Sequence, residues 1–469
     1  MKLIPIYTWN KSLLNFNRRS DRLSKQPWFQ GVLLLVCVAL AMLLANLPFT
    51  KEIYRSILET NIQIRFFSEH GGFDFLFPRE MTVEKFINDV LMVVFFFTVG
   101  LEIKREIADG ELSSVKKAIM PVIAAFGGVI APACIYVLVN GGTMAASGWG
   151  IPTATDIAFA VCILSMLGDK VPTSLKVFLT ALAIADDLIA ILVVALFYGG
   201  TINLTLLAIA FAVIIFTLVL RRIGEKNMFP YIICAIAVWI LFYYSGIHAT
   251  MSGVVMAFLI PSRPRYNKQQ YLHKRNRYIA RLDEYDGIDE ESFPNGPQKH
   301  CLRKLESIAH GTMDMSYRVE HALSPWVNFL IMPIFALANA GVEIADPSYF
   351  NIFNYSPELG SVSMGIFLGL VLGKPLGITL FSFIAIKSKV GAMPDKATWP
   401  MFFAVACLGG IGFTMSIFVD TLSFGECTPE VMNQLRDAGK IAILIASITA
   451  GVLGTVLINI ASKFKKKNA

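Results

Sequence analysis

Two adjacent carboxylates, Asp186 and Asp187, lie in the middle of a stretch that is otherwise almost wholly apolar, T-A-L-A-I-A-D-D-L-I-A-I-L from Thr180 to Leu192. An Asp at the centre of a membrane helix costs about 2.5–3.5 kcal/mol on insertion scales, so an acidic pair there marks an ion or proton path by default. Carboxylate oxygens are hard ligands for a small desolvated cation, and protonation removes their charge and their ligand capacity together. Carboxylates this close titrate as a coupled pair, so a cation and protons would exclude one another at one site. Three more ionisable residues share the apolar setting: Asp89 in I-N-D-V-L, Asp156 in P-T-A-T-D-I-A-F-A, and Lys374 in L-G-K-P-L-G-I. A single buried Asp is readily a structural cap, and Asp89 alone carries no more than that. Four carboxylates and one lysine inside apolar spans are hard to explain structurally and suit an ion path or a proton relay.

Those residues need apolar elements to hold them. The chain has 469 residues, 55% hydrophobic and 16% charged, with a mean hydropathy of +0.59. Soluble domains carry about 25% charge, so the composition gives an all-α polytopic membrane protein. Twelve apolar segments are long enough to cross a core of about 30 Å as helices: 28–48, 81–101, 117–140, 150–167, 172–198, 203–220, 228–244, 246–260, 325–342, 361–386, 399–419 and 439–462. The seventh and eighth are joined so tightly through Ser245-Gly246 that short or tilted helices are expected there. The run Trp28–Leu47 is too long for a signal peptide and reads as the first span. The seven cysteines, mostly in apolar runs, show neither metal spacing nor a disulfide framework.

Charge sets the expected topology. Basic residues follow the second segment (Lys104, Arg105, Lys116, Lys117), the sixth (Arg221, Arg222, Lys226), the tenth (Lys387, Lys389, Lys396) and the twelfth (Lys463, Lys465 to Lys467). The N-terminal stretch adds Lys11, Arg18, Arg19, Arg22 and Lys25, while Glu343, Asp346, Glu358, Asp420, Glu426 and Glu430 read as intervening acidic loops. The positive-inside rule then places both termini in the cytoplasm. The net charge of +7 is a topology signal and not a nucleic-acid surface. The resulting division is a cytoplasmic N-terminus at 1–27, spans one to eight within 28–260 with a periplasmic loop at 49–80, a cytoplasmic insert at 261–317, the remaining spans within 318–462, and a basic tail at 463–469. Within the outer loop, Ile62–Phe67 suits a short hairpin.

Two segments do not read as continuous helices. Gly148, Gly150 and Pro152 interrupt the fourth, with Thr153 and Thr155 beside Asp156; Gly409, Gly410 and Gly412 interrupt the eleventh, followed by Thr414 and Ser416. Irregular backbone at membrane depth is tolerated inside protein or along a watery cavity, and paired interrupted segments point to inverted-repeat transporters. If the two cross antiparallel, half-helix N-termini face each other, and so do C-termini, each end worth about half a charge. Asp156 has the sign for the positive ends and Lys374 for the negative ends. Glu102, Arg105 and Glu106, in V-G-L-E-I-K-R-E-I-A-D-G, read from charge alone as a solvated helix end. His248, in Y-S-G-I-H-A-T, reads first as a hydrogen-bonded interface residue, although histidine titrates near neutral pH.

Taken in order, N-D-V-L-M-V-V-F-F-F-T-V-G-L-E-I-K-R-E, G-W-G-I-P-T-A-T-D-I-A-F-A, L-A-I-A-D-D-L-I-A-I, S-P-W-V-N-F-L-I-M-P-I-F-A-L-A-N-A-G-V, G-K-P-L-G-I and G-I-G-F-T-M-S-I-F resemble the NhaA family of bacterial Na⁺/H⁺ antiporters, from about Asn88 to Phe418. The resemblance implies about 12 transmembrane helices with inverted-topology repeats and two interrupted, crossing helices. It implies that Asp187 is the principal ion-binding carboxylate, with Asp186 its partner, paired with Lys374. Thr155 and Asp156 fall at the crossing of the interrupted helices, and Asp89 matches a carboxylate of the cytoplasmic funnel. Glu102, Arg105, Glu106, His248 and Glu320 match positions tied to pH response. The family also implies a homodimer contacting through the outer loop, and no cofactor beyond the transported Na⁺ or Li⁺ and protons. The insert at 261–317 departs from the family pattern.

The expected function is therefore exchange of cytoplasmic Na⁺ or Li⁺ for external protons, electrogenic and pH-regulated, and not an enzymatic reaction. An intramembrane aspartyl protease needs aspartates on two helices, one typically in G-x-G-D, and L-G-D-K at Leu167–Lys170 lacks that pattern. A prenyl-transfer D-D-x-x-D site is excluded because L-I-A-I-L follows Asp187. A carrier for another cation or a small acid, or a passive cation channel, remains the alternative.

Overall fold

A chain so poor in charge satisfies its backbone in a bilayer only as helices or a closed barrel, and the computed structural model is built of helices. It describes every residue except 1–26, 63–64, 69–70, 75–80, 200–201, 226, 263, 265, 285–295, 345–351, 354, 426 and 469. The basic N-terminal residues, Lys226, Asp346 and Glu426 lie outside the described residues.

In order, the elements are α1 (Pro27–Asn46), α2 (Lys51–Glu59), a two-stranded hairpin β1 (Arg65–Ser68) and β2 (Gly71–Asp74), α3 (Val83–Ala108), α4 (Val115–Asn140), α5 (Met144–Thr153, wound as a 3-10 helix), α6 (Ile157–Leu167), α7 (Thr173–Phe197), α8 (Leu204–Ile223), α9 (Met228–Ser245) and α10 (Met251–Leu259). The chain continues with α11 (Lys268–Glu284), α12 (Gly296–Thr312), α13 (Met315–Asn339), α14 (Val362–Lys387), α15 (Trp399–Leu408), α16 (Phe413–Leu422) and α17 (Pro429–Asn468). Among the described residues nine helices are long and apolar enough to cross a membrane, and two bent pairs, α5–α6 and α15–α16, raise the number to eleven. The protein is an all-α, multi-pass membrane protein.

The spans start and stop where local chemistry allows. Asn203, Asp314 and Ser361 accept backbone N–H groups at the starts of α8, α13 and α14, satisfying donors the helix itself leaves orphaned. Gly224 and Gly246, at φ +87° and +85°, end α8 and α9 in the left-handed conformation that glycine adopts freely. The α7 span is the most enclosed of the nine, with 72% of its apolar window buried against 11% for α8. The helix carrying the acidic pair is therefore interior, and α8 faces lipid. On one side of α7 lies α4, which packs in turn against α14. Gly127 and Gly377 let those two helices touch backbone to backbone, because a Cβ on either would fall inside van der Waals contact with the other's carbonyl oxygen.

The eighth segment is short, as the tight junction at Ser245-Gly246 predicts: it forms a helix only over Met251–Leu259, nine residues or about 14 Å, too short to cross alone, and four other expectations change. Its last carbonyls are taken by Lys104 Nζ, which bonds Ala257 O (3.2 Å), Phe258 O (3.1 Å) and Ile260 O. Lys104 is thus a C-terminal cap and not simply a solvated loop charge. The twelfth span begins at Pro429, ten residues before the expected start at 439. Asp420, expected in an acidic loop, is fully buried in α16. The outer segment at 49–80 contains α2 and pairs Arg65–Ser68 with Gly71–Asp74, where the expected hairpin strand was Ile62–Phe67. In the stretch 261–317, α11 and α12 pack against each other.

Candidate functional site

The site is built where α5–α6 and α15–α16 cross. After Thr153 the backbone of Ala154 and Asp156 is extended, and α6 starts at Ile157. The second break is Gly409–Gly412, and a Cβ on Gly410 would lie 2.3 Å from Leu370 O. Backbone groups freed by the breaks pair across the crossing: Asp156 N–H donates to Ile411 O (2.7 Å), Thr155 Oγ1 to Gly409 O (2.9 Å) and Ser416 Oγ to Ile151 O (2.8 Å). Just past the break, Phe413 is held at φ +25°, strained for a bulky residue, with its N–H on Ser447 Oγ (3.1 Å).

Asp156 stands at two helix N-termini at once. One carboxylate oxygen accepts from Phe159 N–H at the start of α6 (3.2 Å), and the other from Thr414 N–H (3.2 Å) and Oγ1 (2.5 Å) at the start of α16. The carboxylate thus joins the N-termini of α6 and α16, and their positive ends offset its charge. Lys374 occupies the opposite end of the first break. Its Nζ donates to Thr153 O, at the last turn of α5, and to Asp186 Oδ2 at 2.7 Å. This lysine and Asp186 are each about 1% exposed, so the pair is a fully desolvated ion pair with a carbonyl as its third member.

Asp187 is the carboxylate left over. It is 3% exposed, and its Oδ1 is buried with no hydrogen-bond partner among the described residues, as is Asp186 Oδ1. It lines a cavity of about 650 Å³ shared with Asp156, Thr414, Glu102, Arg105 and Glu320. The charges that reach it are those of Asp186, Asp156, Glu102 and Lys374. Charge at this point is answered by no fixed cation of its own. In a low-dielectric setting such a carboxylate needs a proton or a bound cation.

The other sequence candidates divide into two groups. Arg105 gathers three carboxylates at the mouth of the cavity: Nη1 donates to Glu320 Oε1 at 2.6 Å, Nη2 to Glu106 Oε1 at 3.4 Å, and Glu102 stands 3.8 Å away. Glu106 also accepts from Glu111 N–H (3.0 Å). His248 is not part of this cluster. It lies between α9 and α10 with Nε2 on Tyr198 O, and the Tyr198 hydroxyl bonds Ser147 O and Gly150 N–H of α5. Asp89 does not line the cavity either. It sits in a π turn, Ile87–Leu91, thirteen residues before Glu102 on the same helix, about 20 Å along the axis. A funnel carboxylate was expected there, and the cavity instead carries Glu102 and Glu320.

Reading the sequence missed Thr414 as a ligand of Asp156 and the carbonyl of Thr153 as the third member of the lysine pair. The glycines before Thr414 were the available signal for the first, and nothing local signalled the second.

The chain is similar over nearly its whole length to known proteins. The family model for Na⁺/H⁺ antiporter 1 matches residues 21–458. A Na⁺/H⁺ antiporter NhaA of Koribacter versatilis is 41% identical over 438 residues, 93% of this chain and 90% of the relative. The NhaA of Wolinella succinogenes is 41% identical over 441 residues (94% and 92%), and that of Helicobacter pylori strain G27 is 40% identical over 440 (94% of each). With a match running through both broken spans, the acidic pair and the buried lysine, the chain belongs to the Na⁺/H⁺ antiporter 1 family.

Proposed function

We propose that the protein exchanges cytoplasmic Na⁺, or Li⁺, for external protons by competition at Asp187 and Asp186. The observation that carries this reading is the inequality of three buried carboxylates beside one lysine at one crossing. Asp156 is offset by two helix ends and Asp186 by Lys374, which leaves Asp187 open to the cavity with an unpartnered oxygen. Deprotonated, Asp187 offers a dehydrating cation charge and oxygen ligands; protonated, it offers neither. Asp186 acts as the second ligand and, by making or breaking its bond to Lys374, as the gate. Thr155 and Asp156 hold the crossing in shape. Glu102, Arg105, Glu106 and Glu320 form the pH-responsive mouth, His248 contributes from the far end of α5, and Asp89 supports the outer half of α3.

Two carboxylates release up to two protons per Na⁺, which makes exchange electrogenic. One net charge moving inward across an inside-negative membrane yields about 2.3 kcal/mol per 100 mV. A tenfold gradient costs about 1.4 kcal/mol, so the voltage alone sustains sodium expulsion beyond tenfold. The positive-inside distribution supports both termini in the cytoplasm, the division at 1–27, 28–260, 261–317, 318–462 and 463–469, and the cavity opening inward. The hairpin β1–β2, whose open strand edges can pair with another copy, supports a homodimer.

The test is Na⁺-driven proton movement in everted vesicles. Asp187→Asn is expected to lower exchange at least 100-fold while still reaching the membrane. Full exchange by that variant overturns the site assignment, and Na⁺ flux without proton movement in the wild type overturns antiport in favour of a channel.

A further inference from the structure

One buried ionisable group stands apart from the exchange site. Asp420, in the last turn of α16, is 0% exposed, and neither carboxylate oxygen has a hydrogen-bond partner among the described residues. Gly439 of α17 stands against it: a Cβ there would lie 2.2 Å from Asp420 Oδ1, so the glycine leaves the carboxyl its place. The charged groups facing it are Arg436, Lys440 and Asp437, all on α17, and the tyrosine hydroxyls within its reach are those of Tyr136 on α4 and Tyr198 after α7. Arg436 does not bond the carboxylate: its Nη2 caps α16 at Thr421 O and Ser423 O, and its Nε is buried and unpartnered. A buried carboxylate and a buried guanidinium nitrogen thus stand near each other with their bond unmade.

This pair has a continuation to the surface. Arg436 lies within electrostatic reach of Glu84, and Asp437 within reach of Glu343 and Arg55. Lys51 pairs with Glu343, and Arg55 with Glu59 at 2.9 Å, at half-exposed to exposed positions on α2 and after α13. Glu84 begins the helix that Glu102 and Arg105 end, so this string reaches the face opposite the mouth of the cavity. Inward, Asp420 is six residues from Thr414, about 9 Å along the helix. The hydroxyls of Tyr136 and Tyr198 lead to Ala145 O and Ser147 O of α5, the limb whose other end is held by Lys374.

We infer that Asp420 is the outer proton station of the exchanger: it takes a proton from external water through the Arg436–Asp437 rim and holds it on the far side of the crossing from the cavity. Ionised, the carboxylate is balanced by Arg436 and Lys440; protonated, it releases them, and the proton is the only species that changes place. The inference rests on the exchange reading and on its orientation, and adds a residue outside the acidic pair.

The experiment uses full-length protein in right-side-out vesicles loaded with Na⁺ at fixed internal pH, with external pH varied from about 5.5 to 8.5. Asp420→Asn is expected to slow Na⁺ efflux at least tenfold at external pH 8, to move the external-pH profile at least one unit toward acid, and to leave the internal KM for Na⁺ within twofold. Asp420→Glu is expected to keep the wild-type profile. An unchanged profile in Asp420→Asn overturns the inference, as does an equal loss at every external pH in both variants, the mark of a structural pair. If Asp420→Asn does not reach the membrane, Gly439→Ala, which presses on the carboxyl, is expected to shift the same profile, and an unshifted profile is again contrary. A wild type that exchanges no Na⁺ for protons contradicts the exchange reading itself, whereas normal wild-type exchange with an indifferent Asp420→Asn contradicts only the outer station.

Discussion

Lys374 makes two bonds in the protein interior, to Asp186 Oδ2 and Thr153 O, and neither partner has another donor among the described bonds. Removing one member of a buried ion pair costs about 3–5 kcal/mol because the other charge is left unpaired. Lys374→Ala is therefore expected to lower the melting temperature in detergent markedly, and Lys374→Ala with Asp186→Asn to recover most of the loss; a double variant no more stable than the single one would deny the pairing. Thr414 is a second test at this scale. Its hydroxyl reaches Asp156 at 2.5 Å, and hydrogen bonds to charged groups contribute about 1.5–3 kcal/mol. Thr414→Val is expected to destabilise by about that amount, read by thermal unfolding. Most of these residues were legible in the sequence because charge inside an apolar run is conspicuous. Asp420 was not, because the eleventh segment was ended at 419 and the acid assigned to a loop. Its helix runs to Leu422, and the C-terminus is capped by Arg436 from another helix, a stop signal that no local pattern contains.

At the scale of elements, the broken spans were legible from glycine and proline, and what was hidden was winding and length. The α5 limb is a 3-10 helix that starts at Met144, six residues before the expected boundary, and α10, expected to be short or tilted, is half a span that starts five residues after the expected 246. Both depend on partners distant in sequence: α5 on the crossing with Ser416 and the Tyr198 hydroxyl, α10 on Lys104. Hydropathy reports the run of apolar residues and not which backbone groups a neighbour will satisfy. The close approach of α4 and α14 at Gly127 and Gly377 gives a direct test of packing. Overpacking costs about 1–3 kcal/mol where side chains can give way, and here the obstacle is a carbonyl. Gly377→Ala is expected to cost at least that, seen as reduced yield and a lower melting temperature; wild-type stability would show that the helices do not pack this way.

For the whole molecule, the all-helical, multi-pass architecture followed from composition, while the division of labour between its two ends needed the structure. Arg105, Glu102, Glu106 and Glu320 meet at the cavity mouth from α3 and α13, whereas His248 lies with Tyr198 at the other end of the site. If the Arg105–Glu320 bond holds the mouth in its working form, acid breaks it by protonating Glu320, and Glu320→Gln mimics that state at every pH. Exchange in vesicles by Glu320→Gln is then expected to stay across the pH range at the low level the wild type shows in acid, and a wild-type pH profile would remove Glu320 from the response. Competition between a cation and protons at Asp187 is tested by proton release when Na⁺, Li⁺ or K⁺ is added to purified protein at fixed pH between about 6 and 9. The wild type is expected to release protons on adding Na⁺ or Li⁺, with release fading in acid where protons hold the site, and Asp187→Asn to release none. Release from Asp187→Asn equal to the wild type, or no release from the wild type at any pH, would contradict the account.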